Sequence, residues 1–108
     1  MDQKYLDDKL TYVRDHFPQV AGRYVHGIDI YKANHWKHVA EDDRAVVVPS
    51  QSDPDAVHLV REEGAIIRCS CKDYYHHAPE VRGQKLCKHV IAAQLFWHNG
   101  PFPSEVQS

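Results

Sequence analysis

The stretch 69-CSCKDYYHHAPEVRGQKLCKH-89 decides how the second half of this chain can fold. It opens with Cys69 and Cys71 and closes with Cys87 and His89, and 15 residues separate the two pairs. Thiolate sulfur and imidazole nitrogen are the donors that Zn²⁺ takes up in tetrahedral sites. Two ligands one residue apart converge where the chain turns at a strand end or at a helix start. The spacing therefore predicts one zinc ion held by these four side chains.

A zinc site with four protein ligands is structural, because it leaves no coordination position open for water or substrate. The free energy of metal binding then becomes folding free energy for the segments that carry the ligands. Two alternatives stay open: Cys69 as the buried end of an apolar strand, and Cys69 with Cys71 as a redox pair, although CxxC is the usual redox spacing. His76 and His77, between the pairs, are rival ligands that could replace His89.

The composition is that of an ordinary folded domain. The 108 residues are 43% hydrophobic and 26% charged, which suits one small domain. The cysteines are odd in number, which argues against a secreted disulfide framework. No apolar run approaches the roughly 20 residues of a membrane-spanning helix, and the polar start MDQKYLDDKL lacks the features of a signal peptide. We expect an intracellular protein, cytoplasmic or nuclear, with no membrane partner.

Basic side chains are concentrated around the ligand pairs, although the net charge of the chain is −2 and its pI is about 6.5. Lys and Arg in such a patch are suited to phosphate contacts. Domains that depend on phosphate contacts often have a pI above about 9, so the overall balance counts against tight, autonomous nucleic-acid binding. The candidate nucleic-acid contacts are Arg68, Lys72, Arg82, Lys85 and Lys88.

The first third of the chain has the apolar periodicity of helices. An apolar stripe at steps of three and four residues predicts an amphipathic helix over residues 3–17, which Pro18 ends. A weaker stripe, interrupted by two glycines, predicts a second helix over residues 20–34. The alternative for this segment is a strand over residues 24–31.

The sequence after residue 35 predicts β hairpins and one more helix. Residues 36–40 and 45–50 form a first hairpin, and residues 57–61 and 65–69 a second, in which His58 and Arg61 are expected to be exposed. Residues 72–86 are predicted as a polar loop, and residues 87–98 as a helix.

These elements predict an α+β fold. It is a small zinc-stabilised domain with short antiparallel β hairpins, one or two N-terminal helices and a C-terminal helix after the second ligand pair. We expect a helical segment over residues 1–35, the hairpins, zinc site and helix over residues 36–99, and a flexible tail over residues 100–108.

The ligand pattern resembles the SWIM zinc finger, in which a CxC pair and a CxH pair are separated by a variable gap. Cys71-Lys-Asp-Tyr resembles the family's CxCxDF segment, and Cys87-Lys-His-Val-Ile-Ala-Ala resembles its CKHIxAV helix start. Val48-Pro-Ser-Gln-Ser resembles a stretch found in SWIM-bearing transposase-like proteins. The resemblance covers roughly residues 45–98 and implies the same four ligands. The chain departs from the family in Lys72, where proline is common, in Tyr74 for phenylalanine, and in a longer inner loop.

SWIM domains occur in Mutator-type transposases, in certain ATPases and kinases, and in recombination accessory proteins, so the resemblance implies DNA binding or protein interaction. We expect a structural zinc module that binds DNA or serves as a DNA-associated accessory factor in recombination or transposition. The alternative is a protein–protein interaction adaptor with no direct nucleic-acid contact. Aromatic candidates for base stacking are Tyr74, Tyr75, His76 and His77, and those for protein anchoring are Trp36, Phe96 and Trp97.

We expect neither catalysis nor a small-molecule substrate. A closed zinc site offers no reactive position. The Glu beside a ligand and the CxxC pair that zinc deaminases require do not occur in the sequence.

Overall fold

The computed structural model describes residues 3–33, 37–39, 42–49, 57–64 and 66–97. Within these ranges the predicted α+β class is confirmed, with four helices, a four-stranded sheet and a two-stranded sheet. Trp36, the tail over residues 100–108 and the predicted segment boundaries after residues 35 and 99 lie outside the described residues.

Two helices open the chain, α1 (Gln3–His16) and α2 (Pro18–Ala33). Pro18 ends the first helix and fits the first turn of the second, where its missing N–H has no partner to lose. Both predicted helices therefore form, and the strand alternative over residues 24–31 is wrong. The apolar stripe of α1 is buried at Leu6 and Val13, and α1 packs against α2.

Lys9 lies on the same buried face of α1 and is only 2% exposed. Its Nζ sits 5.3 Å from the centroid of the Tyr5 ring. Within the described part of the chain this Nζ has no hydrogen-bond partner. Burial lowers the pKa of Lys9 from 10.5 to about 8, because a charged amine loses its hydration there.

The main sheet is an antiparallel meander of β1 (Lys37–Val39), β2 (Asp42–Pro49), β3 (Val57–Glu63) and β4 (Ile66–Cys69), in that order. The predicted hairpins β1–β2 and β3–β4 are both present, and β2 also pairs with β3. Gly64 takes a φ of 62° in the turn between β3 and β4, a conformation that glycine adopts without steric cost.

Side chains alternate between the two faces of this sheet. Val46, Val48 and Val60 point into the core, while Val57 is 60% exposed on the opposite face. His58 is two residues from Val60, so it shares the inward side and is half-buried. The expectation that His58 and Arg61 are exposed is wrong, since both are half-buried. For His58 the reason is that the register of β3, rather than residue polarity, decides its face.

The predicted loop over residues 72–86 contains regular structure. Helix α3 (Lys72–His76) is followed by a hairpin of β5 (Glu80–Val81) and β6 (Gln84–Lys85). Arg82 and Gly83 form its two-residue turn, with φ values of 53° and 81°, as the right-handed twist of a tight hairpin requires. The loop prediction is wrong because elements of two to five residues have no detectable periodicity.

Helix α4 (Lys88–Trp97) closes the described chain and is buried from His89 to Leu95. It packs against α2 and also contacts β3 and β4, so it lies at the centre of the molecule. A Cβ built on Gly27 of α2 would come within 2.6 Å of Ile91 Cγ2 and 3.1 Å of the Lys88 carbonyl oxygen. Glycine at this position therefore lets the two helices approach closely. None of the helices in the described ranges is long and apolar enough to cross a bilayer.

Candidate metal centre

The first cysteine pair stands where β4 passes into α3. Cys69 ends the strand, and Cys71 caps α3 by accepting a hydrogen bond at Sγ from the Tyr74 N–H at 3.4 Å. Ser70 between them is fixed to Leu59 of β3: the Ser70 N–H donates to the Leu59 carbonyl, and the Leu59 N–H donates to Ser70 Oγ, both at 3.0 Å. This anchor fixes the turn of the chain between the two sulfurs.

The second pair lies at the start of α4 and repeats the arrangement in which a cysteine sulfur caps a helix. Cys87 precedes the helix, and its Sγ accepts a hydrogen bond from the Val90 N–H at 3.4 Å. The N-terminal turn of a helix presents free N–H groups and positive partial charge. The N-terminal turn therefore contributes stabilisation of negative charge at both capping sulfurs, Cys71 and Cys87.

The four predicted ligands converge at this point. Their donor atoms all lie within 4.8 Å of one another, and every one of the four side chains is buried. A tetrahedral ion with bonds of about 2.3 Å to sulfur would set the sulfur atoms about 3.8 Å apart. The sulfur–sulfur separations in the structure exceed that spacing by at most about 1 Å.

His89 provides a separate test of whether the residues fit a metal ion. Its side chain is 2% exposed, and its Nδ1 lies 4.0 Å from Cys87 Sγ. In the part of the chain that the structure describes, its Nε2 has no hydrogen-bond partner. A buried ring nitrogen without a partner costs free energy unless something binds to it. Three sulfurs and a buried imidazole at this spacing can coordinate one metal ion.

The three thiols titrate as one group. Contact with Cys69, and then with Cys87, lowers the pKa of the Cys71 thiol. Contact with Cys71, together with burial, raises the pKa of Cys69 to about 12. Contact with Cys69 and Cys71, and then burial, raise the pKa of Cys87. The negative charge of one thiolate thus opposes ionisation of the other two, and a cation at the centre would relieve that repulsion.

His76 and His77, the rival ligands, are exposed on α3 and the residue after it. Neither belongs to the cluster of donor atoms. The sequence had left open whether one of them replaces His89, and the structure brings His89 to the three sulfurs.

Two further residues hold the ligand segment in place, and sequence reasoning missed both. Arg23 of α2 binds Asp73 of α3 with two hydrogen bonds, Nε to Oδ2 at 2.9 Å and an Nη to Oδ1 at 2.8 Å. Gln84 is buried, and its side-chain amide bonds the N–H and the carbonyl of Ile67 at 2.8 Å each. Arg23 thus ties the Cys71 side to α2, and Gln84 ties β6 to β4. Pairs 50 and 17 residues apart leave no local signal in the sequence.

His58 is a third residue that the sequence did not associate with the site. Its ring lies 4.4 Å from the ring of His89, measured between centroids. Burial lowers the pKa of His58, and its neighbours His89 and Lys88 lower it further. His58 therefore covers one side of His89 as a neutral ring. The alternation of inward and outward positions along β3 is the signal that could have placed His58 inward, provided that the register with the neighbouring strand was known.

The five predicted nucleic-acid contacts have different surroundings. Arg68 and Lys85 line one surface recess, where Arg68 Nε also pairs with Glu63 Oε2 at 2.9 Å. Lys72 and Arg82 are exposed, at the start of α3 and in the β5–β6 turn. Lys88 is half-buried at the start of α4. The structure thus brings two of the five together at one concave surface.

No protein-family model matches this chain, and neither a curated protein nor a solved structure matches it. The resemblance to SWIM fingers therefore depends on the quoted motifs, and the function has to be argued from the geometry of the site.

Proposed function

We propose that this chain is a structural zinc module that associates with DNA as an accessory factor. The observation that carries the zinc assignment is the convergence of Cys69, Cys71, Cys87 and His89 in a buried cluster. Three soft sulfurs and one imidazole nitrogen favour Zn²⁺ over Ca²⁺ or Mg²⁺, which prefer oxygen. When bound, the ion would supply a tetrahedral cross-link between the end of β4 and the start of α4.

In this proposal the metal site has no open coordination position at which catalysis could take place. All four donors come from buried protein side chains, so the coordination sphere is complete without water or substrate. We expect no enzymatic activity and no small-molecule substrate.

The DNA association rests on charge and on the quoted resemblance. Arg68 and Lys85 share a recess beside the metal segment, and Lys72, Arg82 and Lys88 add three more cations within the same stretch of chain. Because the net charge is −2, binding has to come from this local group and not from the protein's overall field. The SWIM-like motifs favour a role in recombination or transposition complexes.

Native mass spectrometry tests the metal assignment. We expect one zinc ion per chain in the wild type, and none in Cys87→Ser or His89→Ala. His77→Ala is the matched control, because it removes an imidazole from the same stretch without touching the cluster. Protein that carries no zinc when freshly reduced, or His77→Ala that loses the ion, would overturn the assigned site.

Fluorescence anisotropy with labelled DNA at several salt concentrations tests the association. We expect affinity to fall steeply as salt rises and to weaken in Lys85→Glu and Lys88→Glu. Lys32→Glu, on the exposed end of α2, makes the same charge change away from the site and should have little effect. Binding that is absent at low salt would exclude DNA, and it would leave the protein–protein adaptor as the function to pursue.

A further inference from the structure

A surface recess of about 250 Å³ lies between β4, α3 and the β5–β6 hairpin. The side chains that line it are those of Ile66, Arg68, Tyr74, Tyr75, Glu80 and Lys85. The volume is below the range of about 300–1,000 Å³ that is typical of pockets for drug-sized molecules. A ligand for this recess is therefore a small group, or one unit of a longer chain.

The two tyrosines of the recess have different roles. Tyr74 is buried, and its hydroxyl donates a hydrogen bond to the Ile67 carbonyl at 3.1 Å, so it belongs to the supporting structure. Tyr75 is 54% exposed, and its ring stands edge-on to Tyr74, with centroids 5.4 Å apart and an interplanar angle of 82°. Tyr75 thus presents a braced aromatic ring to solvent.

Charged groups flank this ring. Arg68 comes from β4 and Lys85 from β6, and the Lys85 Nζ lies 5.6 Å from the centroid of the Tyr74 ring. Glu80 is the acidic member of the lining. The lining carries two cations and one carboxylate beside an exposed aromatic ring and the partly exposed Ile66. Glu63, outside the lining, pairs with Arg68 Nε at 2.9 Å, so an anion at Arg68 would share the guanidinium with this carboxylate. The matching ligand is a flat aromatic group that carries an anion.

We propose that the recess binds a single unpaired nucleotide, with the base on Tyr75 and the phosphate at Arg68 and Lys85. The chain then prefers single-stranded nucleic acid to duplex, because base pairing and stacking keep the faces of bases inaccessible in a duplex. This inference rests on the proposed association with nucleic acid and specifies the form of the strand. DNA and RNA single strands share the chemistry, and the experiment separates them.

Fluorescence anisotropy at one fixed salt concentration, with zinc-loaded full-length protein, provides the test. The probes are a single DNA strand, the same strand with abasic positions, the same sequence as RNA, and the duplex. We expect the single strand to bind more tightly than the duplex. The abasic strand should bind more weakly than the intact one, since it keeps every phosphate and loses the stacking. The RNA arm shows whether the sugar matters at this site.

Variants of the exposed rings sharpen the test. Tyr75→Ala should weaken single-strand binding about 5- to 150-fold, as expected for the loss of one stacked base. Tyr75→Phe should keep the affinity, because the ring remains. His76→Ala is the matched control, since it removes a neighbouring exposed ring from the same helix but not from the recess. Zinc content measured on each variant confirms that the fold is retained.

The failures of the two proposals are distinguishable. Duplex binding as tight as single-strand binding, with the abasic strand and Tyr75→Ala unchanged, would overturn the base recess and leave the salt-dependent association standing. Binding to none of the four probes would overturn both proposals.

Discussion

Helices α1 and α2 run for 14 and 16 residues, whereas α3 has five residues and strands β5 and β6 have two each. The long helices bury apolar stripes, and α2 packs along α4. Each short element adds only one buried side chain to the protein interior, Tyr74 from α3, Val81 from β5 and Gln84 from β6, and helices of this length are not stable alone in water. Their positions are fixed at the two cysteine pairs, at Gln84 and at the Arg23–Asp73 ion pair. The comparison shows one region held by continuous apolar stripes and another held by single buried side chains together with point anchors.

Removal of the metal is expected to have the largest effect and to separate the two regions. Binding of structural zinc is worth about 10–16 kcal/mol in small finger peptides, so a strong chelator should abolish most of the stability of α3 and the β5–β6 hairpin. Hydrogen exchange followed by mass spectrometry should show protection lost first over α3 and the β5–β6 hairpin, and last within α2. Equal and simultaneous loss over α1 and α3 would show that the two regions form one cooperative unit.

Gly27→Ala is expected to have the next largest effect on stability, because the added methyl group disrupts the packing of α2 on α4. The added Cβ would meet Ile91 and the Lys88 backbone at contact distances too short to keep. We expect a loss of up to about 3 kcal/mol in the free energy of unfolding by urea. Gly22→Ala, in the same helix, is the control: nothing lies within 4 Å of its Cβ, so the better helix propensity of alanine should stabilise by up to about 1 kcal/mol. Equal changes in the free energy of unfolding for the two variants would contradict the close approach of α2 and α4 at Gly27.

Lys9 is a polar residue in the region that depends on apolar burial, and its removal should stabilise the protein. The pKa of Lys9 is lowered to about 8 in the folded chain, so the folded state binds fewer protons than the unfolded state between about pH 8 and 10.5. Stability should therefore rise with pH across that window. Because solvent screens part of this shift, Lys9→Met is expected to be about 2 kcal/mol more stable than wild type at pH 7, and the difference should shrink as the pH rises toward 10.5. A difference that stays constant with pH would show that the amine is not the cause.

The Arg23–Asp73 pair connects the two regions and should have the smallest effect. Both side chains are partly exposed, so solvent screens the interaction, and a double-mutant cycle of Arg23→Ala and Asp73→Asn should give about 0.5–1 kcal/mol. Hydrogen bonding to Arg23 lowers the pKa of Asp73. The contribution is therefore constant between pH 7 and pH 5, and it is lost as the pH falls through the lowered pKa. A coupling energy that already declines between pH 7 and pH 5 would contradict this assignment.

The sequence predicted the elements that are long or patterned. The stripe of α1, the hairpin of residues 57–61 and 65–69, and the apolar run of α4 are each visible in a few neighbouring residues. The ligand set is visible for the same reason, because each pair lies within three residues of chain. Segment 72–86 was missed because α3, β5 and β6 are shorter than any period that could reveal them. The inward position of His58 was missed because register depends on which partner strand is present.

By itself the sequence determined the α+β class and the four residues able to hold a metal ion, since residue type and local spacing suffice for both. The tertiary structure decided the rest. It brought two ligand pairs from opposite ends of a 15-residue segment to within 4.8 Å of one another. It also set Arg68, Tyr75 and Lys85 around one recess. Contacts between residues distant in sequence depend on how whole elements pack, and no local pattern in the chain encodes that packing.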